Sequence, residues 1–134
     1  MGVLMDSNVL IDLERRKGGV VDFIRGREEE DLFLSVVSAS ELLHGVHRAK
    51  TPEIRSKRLA FVEAVLASIP VLDIDLATAR SHAQLWSDLV ESGQRIGIHD
   101  SWLAAACLAH GLTMVTSNER EFRRVPGLRV EVWT

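Results

Sequence analysis

The chain has 134 residues, long enough for one domain that buries about two thirds of the surface its unfolded form exposes. A hydrophobic fraction of 46% and a charged fraction of 26% are ordinary for a globular protein. The net charge of −3 excludes a polyanion binder that is basic all over, yet leaves room for a local basic groove.

Val3 to Met5 reads as a first strand. Val9, Leu10 and Leu13 follow helical spacing up to Arg16, and Gly18-Gly19 breaks that helix. Val20, Phe23 and Ile24 give a short second helix ending at Gly26, and the charged run from Arg27 to Asp31 is a solvated turn. Residues 32–36 form a second strand. Ala39, Leu42, Leu43 and Val46 mark one face of a third helix, with Ser38 and Glu41 spaced as a capping box. Thr51-Pro52 starts a fourth helix, whose stripe is Leu59, Val62, Val65, Leu66 and Ile69 and which Pro70 ends. Val71 to Ile74 is a short strand. A fifth helix starts at Asp75, buries Leu76, Ala79, Ala83, Trp86 and Val90, and closes at Gly93. Residues 101–110 are apolar nearly all round, which marks a helix buried on most sides and ended by Gly111. Residues 112–116 and 128–133 are the last strands.

Strands that alternate with helices pair in parallel. The expected fold is an α/β, three-layer α/β/α sandwich with a central parallel sheet of about five strands. No domain boundary is visible within residues 1–134, and residues 51–93 read as a mostly helical arm over one face of the sheet. Phe61 and Leu85 are its candidates for a homodimer interface. Cys107 is the only cysteine, which excludes an internal disulfide and fits a reducing, cytoplasmic setting. Neither a membrane-spanning run nor a signal peptide is visible.

Four carboxylates recur at one kind of position. Asp6 follows Val3-Leu4-Met5, Glu41 lies just beyond residues 32–36, Asp100 opens the apolar helix, and Glu121 follows residues 112–116. In an open α/β sheet such helix starts gather at the carboxyl edge of the strands, where ligands bind. Each acid has a local explanation: Asp6 and Asp100 as caps, Glu41 and Glu121 within capping boxes. Capping does not explain why all four are Asp or Glu, since Ser, Thr or Asn would serve. Four converging carboxylates repel one another unless a cation sits among them. Magnesium and manganese take oxygen ligands, and such an ion permits phosphodiester hydrolysis with a neighbouring carboxylate as base.

Other chemistries fit less well. His44, His47, His82, His99 and His110 form no Cys/His zinc pattern, and His44 and His47 read as surface or interface groups. No Walker-type loop, Gly-rich dinucleotide fingerprint or nucleophile elbow is present. Asp75 reads as a cap, Asp73 as a strand-end residue and Asp12 as pointing to solvent.

Asp6-Ser7-Asn8-Val9-Leu10-Ile11 resembles the opening of PIN domains, in particular the VapC toxins of bacterial toxin–antitoxin pairs. Ser35 to Gly45, Ile96 to Asp100, and Leu112 to Phe122 with Val125-Pro126-Gly127-Leu128 resemble that family's later blocks, in order across the whole chain. The resemblance implies a PIN fold and a magnesium- or manganese-dependent endoribonuclease acting on RNA. It implies that Asp6 and Asp100 are the direct metal ligands, that Glu41 completes the cluster, and that Glu121 is a more variable fourth acid. Asn8, Thr116 and Asn118 would support the acids from behind, while the role of His99 stays open. It also implies a homodimer neutralised by a VapB-type antitoxin whose C-terminal segment covers the acids, with DNA contacted only through that antitoxin. Two other readings stand beside it: a PIN nuclease that matures RNA, and a PIN-like module that binds without cutting. A phosphatase of the haloacid dehalogenase type needs Asp-x-Asp, and Asp6-Ser7-Asn8 lacks the second Asp.

Overall fold

The computed structural model describes residues 2–134. In chain order the elements are β1 (Gly2–Met5), α1 (Ser7–Arg15), α2 (Gly19–Arg25), β2 (Asp31–Ser35), α3 (Val36–His47) and α4 (Pro52–Ser68). There follow β3 (Val71–Leu72), α5 (Leu76–Glu91), α6 (Ile98–His110), β4 (Thr113–Thr116), α7 (Glu119–Phe122) and β5 (Val130–Val132). The strands form one sheet in the order β3-β2-β1-β4-β5, and every pairing is parallel. Val3, Leu4 and Met5 are all buried, as a central parallel strand covered on both faces requires.

Alternation along β1 sends Val3 and Met5 to one core and Leu4 to the other. The first core adds Val9, Leu10 and Leu13 of α1, Leu42 and Val46 of α3, Val62 and Val65 of α4, and Ile69 just after α4. The second adds Leu85 and Leu89 of α5, Leu103 and Ala104 of α6, Met114 of β4 and Phe122 of α7. The three layers are therefore α1–α4, the sheet, and α5–α7. This corrects the expectation of one arm over one face: α4 packs into the first core and α5 into the second, with β3 carrying the chain between them. Leu85 is 4% exposed, so it belongs to the core and is not available to an interface.

Two caps lie where the sequence puts them. Thr51 Oγ1 accepts from the Ile54 amide at 3.2 Å ahead of Pro52, and Asp75 Oδ1 accepts from the Thr78 amide at 2.8 Å. Gly111 ends α6 at φ 66°, in the left-handed region that glycine enters without strain.

Other local expectations fail for identifiable reasons. Helix α3 begins two residues before Ser38, and Ser35 is its cap, accepting from the Val37 amide at 3.1 Å. Val36 and Val37 suit a strand, but Val37 packs against the second core and the helical path wins. The Ser38–Glu41 capping box therefore does not form. On α5 the buried residues are Thr78, Leu85 and Leu89, while Leu76 and Val90 are exposed, because this helix packs chiefly on α6. Leu59 of α4 is likewise exposed, and β3 stops at Leu72, leaving Ile74 in the open. Asp12 does not simply face solvent: its Oδ2 accepts from Trp133 Nε1 at 2.9 Å and pairs with Arg16 at 2.7 Å.

Candidate active site at the carboxyl edge of the sheet

From β1 the chain winds outward through β2 to β3, and from β4 outward to β5, so the winding reverses between neighbours β1 and β4. Loops part at such a reversal and leave a crevice beyond the strand ends. Asp6 stands there, its amide donating to Val115 O of β4 at 2.9 Å. Its backbone is extended, with φ −70° and ψ 151°, as a cap requires, yet its side chain makes no capping hydrogen bond. The Asp6 carboxylate turns to β4 instead. Thr116 Oγ1 donates to Asp6 Oδ2 at 2.8 Å, and Asn8 Nδ2 approaches the same oxygen at 3.3 Å. The Asn118 amide donates to Thr116 Oγ1 at 2.9 Å, and the one hydroxyl proton goes to the Asp6 carboxylate, which when ionised can only accept.

The other three acids arrive from both layers. Glu41 is the sixth residue of α3 and so lies past the first turn. The Ser7 hydroxyl lies 3.2 Å from Glu41 Oε2 and 3.5 Å from Asp6 Oδ1. It has one proton, so it holds one carboxylate at a time and favours the nearer, Glu41. Asp100 and Glu121 are each the third residue of their helices, α6 and α7, and neither is the cap expected of Asp100. The caps are Gly97 and Asn118, and neither makes a side-chain capping bond. Asp100 and Glu121 converge over Gly97, where an added Cβ would lie 3.8 Å from Asp100 Oδ2 and 3.9 Å from Glu121 Oε2.

The electrostatics follow from this crowding. Burial pushes the Asp6 carboxyl above its usual range, opposed by the hydrogen bonds from Thr116 and Ser7. Asp100 is pushed up to about 8, first by burial, then by its hydrogen bond to Glu121 and by the charges of Asp6, Glu121 and Glu41. Glu121 moves the other way, held low by the hydrogen bond from Asp100, the Gly97 amide and the Arg124 charge. The two shifts describe one proton, which resides on the more buried Asp100 and is donated to Glu121. His99 sits at the rim with Nδ1 3.6 Å from Glu41 Oε1.

Sequence reasoning missed Ser7, the Gly97 amide and Arg124. Ser7 and Gly97 lie beside quoted acids, but a hydroxyl bridge and a backbone donor leave no mark in residue type. Cys107 is buried and its thiol is pushed up to about 12 by that burial, which makes it a packing residue.

Among the described residues, no three or more His, Cys, Asp or Glu side chains are arranged as a ready-made metal site. The donor set is nonetheless one of hard oxygens whose mutual repulsion is relieved only in part, by the proton between Asp100 and Glu121. It fits an ion held directly by few carboxylates, with water completing its shell, as magnesium prefers.

Residues 3–128 match the PIN domain family. The chain belongs to the PIN domain family. Its relatives include the tRNA(fMet)-specific endonuclease VapC of Shigella flexneri, 33% identical over 98% of this chain and 97% of that protein. Ribonuclease VapC1 of Rickettsia felis is 32% identical over 97% of this chain and 95% of that one. Among solved PIN structures, DNA-bound VapBC from Salmonella typhimurium aligns with a TM-score of 0.88 at 28% identity, covering 100% of this chain and 99% of the other. VapBC2 of Rickettsia felis, bound to a promoter DNA fragment, aligns with a TM-score of 0.89 over 100% of both chains, a likeness of fold at 21% identity.

Proposed function

We propose that this PIN domain is a magnesium- or manganese-dependent endoribonuclease and the toxin of a VapBC-type toxin–antitoxin pair. The observation that carries the proposal is the convergence of Asp6, Glu41, Asp100 and Glu121 at the sheet's winding reversal, where Asp100 keeps a proton up to about 8. Asp6 and Asp100 would hold the ion, with Glu41 and Glu121 completing the cluster. When bound, the ion supplies positive charge to a phosphate oxygen and acidity to a water. Thr116 and Asn8 hold Asp6 in one orientation, and Ser7 ties Glu41 to the same edge. Glu121, held by the Gly97 amide, helps to orient the attacking water, and a carboxylate of the cluster accepts its proton. The water oxygen bonds to phosphorus, the bond to the leaving oxygen breaks, and that oxygen takes a proton from solvent.

A cleft of about 440 Å³ runs from Glu41 between α1, α3 and α4. Its walls combine Ile11, Leu42 and Phe61 with Arg15, Arg48 and Lys50. This mixture suits the antitoxin segment that covers the site, and DNA contacts belong to the antitoxin. The toxin acts as a homodimer, and an RNA substrate goes with a cytoplasmic location. No helix among the described residues is long and apolar enough to cross a membrane.

The test is cleavage of total RNA, tRNA included, by purified protein in magnesium, manganese or EDTA, with cut sites mapped by end sequencing. Asp6→Asn and Asp100→Asn should each abolish cutting while the fold persists. Wild-type cutting by either variant, or in EDTA, overturns the proposal. Cutting confined to precursor RNA, with no growth arrest on expression, would favour RNA maturation.

A further inference from the structure

Outside the acid cluster, one partly buried polar chain joins α5 to α6. His82 Nε2 lies 2.9 Å from Ser101 Oγ, and Ser101 Oγ lies 2.5 Å from the Ile98 carbonyl oxygen. A carbonyl can only accept and serine has one proton, so Ser101 donates to Ile98 and accepts from His82. The ring therefore carries a proton on Nε2. Burial lowers the pKa of His82, which favours the neutral ring with Nδ1 bare. The ring is clamped by stacking, 3.7 Å from the Trp102 centroid at 7° and 5.7 Å from Trp86 at 14°.

The chain ends in the turn that carries the chemistry. Ser101 is fully buried, follows Asp100, and closes the first turn of α6 by donating its amide to Gly97 O at 2.9 Å. Gly97 in turn helps to hold Glu121. This turn has no side-chain cap of its own, since its cap is glycine. An uncapped helix start frays unless something outside it supplies order. Leu85 and Leu89 already hold α5 against α6, so packing alone does not call for a directed hydrogen bond at this point.

We infer that His82 is a positioning residue for Asp100, acting through Ser101 to fix the first turn of α6 at the site. This inference rests on the nuclease reading proposed above. His82→Leu and Ser101→Ala should each lower kcat by about 10- to 100-fold, the range for removing a partner that orients a metal-site residue, with little change in KM. His82→Gln keeps an N–H donor and should recover most of that rate. The double variant His82→Leu/Ser101→Ala should be no slower than either single variant, because both break one chain. In metal-free protein, amide hydrogen exchange at Ser101 should speed up in His82→Leu while the amides of β1 and β4 stay protected. Unchanged exchange at Ser101, or equal kcat for the Leu and Gln variants, overturns the positioning role. If Asp100→Asn is inactive while His82→Leu and Ser101→Ala keep the wild-type kcat, the role fails and the nuclease reading stands. If Asp100→Asn still cuts RNA, both fall.

Discussion

Thr116 donates its hydroxyl proton to Asp6 across the junction of β4 and β1, at 2.8 Å and 110 positions away in the chain. That bond separates two uses of an aspartate at a helix start. A capping carboxylate bonds the amides of its own helix, whereas Asp6 makes no well-formed capping bond and, beyond weaker support from the Ser7 and Asn8 amides, takes its shortest hydrogen bond from the neighbouring strand. Thr116→Val removes this donor and leaves the Asn118 amide without its acceptor. Unfolding in urea should show a loss of about 1–3 kcal/mol, the cost of unsatisfied buried partners. Thr116→Ser keeps the donor and should lie near wild type. Equal stability of the Val and Ser variants would show that Asp6 does not depend on this bond.

The proton on Asp100 makes stability depend on pH in a definite direction. An unfolded aspartate titrates near 3.8, whereas Asp100 in the fold titrates at about 8. The folded form therefore binds the extra proton between those values, and stability falls as pH rises through the interval. The contribution is fully present below the unfolded value and lost above the folded one. Glu121, held low, works oppositely: its contribution is present above the ordinary glutamate range and lost in stronger acid. Metal-free protein should thus melt at progressively lower temperature as pH rises from the ordinary aspartate range toward about 8. Asp100→Asn should flatten that slope. A slope unchanged by the substitution would assign it to other groups.

Ser38 offers a test independent of the site. Its hydroxyl is buried inside α3 and has no hydrogen-bond partner among the described residues. Ser38→Ala removes an unsatisfied group and installs a better helix former, so the protein should gain about 0.5–2 kcal/mol in chemical denaturation. A loss of stability would mean that the hydroxyl has a partner in solution.

The sequence makes some of this plain and hides the rest for physical reasons. Caps such as Thr51 and Asp75 act within one turn, so residue type and spacing reveal them. The choice between Ser35 and Ser38 is made by the packing of Val37 against the second core, which no local pattern records. The buried face of α5 is chosen by α6, and the two apolar stripes on that helix look alike until a partner selects one. Asp12 is claimed by Trp133, 121 positions away. Asp6, Glu41 and Glu121 are legible because the helices that follow parallel strands start at one edge of the sheet whatever their sequence separation, and Asp100 is legible because it opens an almost wholly apolar helix. Ser7 and the Gly97 amide are not, since their contribution is geometry.

The acid cluster and the cation proposed for it make the last prediction. An ion that binds the fold and not the unfolded chain stabilises by mass action, by about 2.7 kcal/mol at a hundredfold excess over its dissociation constant. For a domain of this size that is a rise in Tm on the order of 5–10 °C. Manganese should produce it, and Glu41→Gln and Asp100→Asn should each shrink it. Asp75→Asn should not, because Asp75 caps α5 and pairs with His110. The same binding has a second signature. A cation beside Asp100 competes with the proton shared with Glu121, so titration near pH 7 should release roughly one proton per ion. Calorimetry in two buffers of different ionisation enthalpy counts that proton. Release without a thermal shift would indicate binding to folded and unfolded chains alike. A shift no larger than sodium chloride gives at equal ionic strength, with no proton released, would mean that the carboxylates do not share a cation, and the metal-dependent mechanism would be lost.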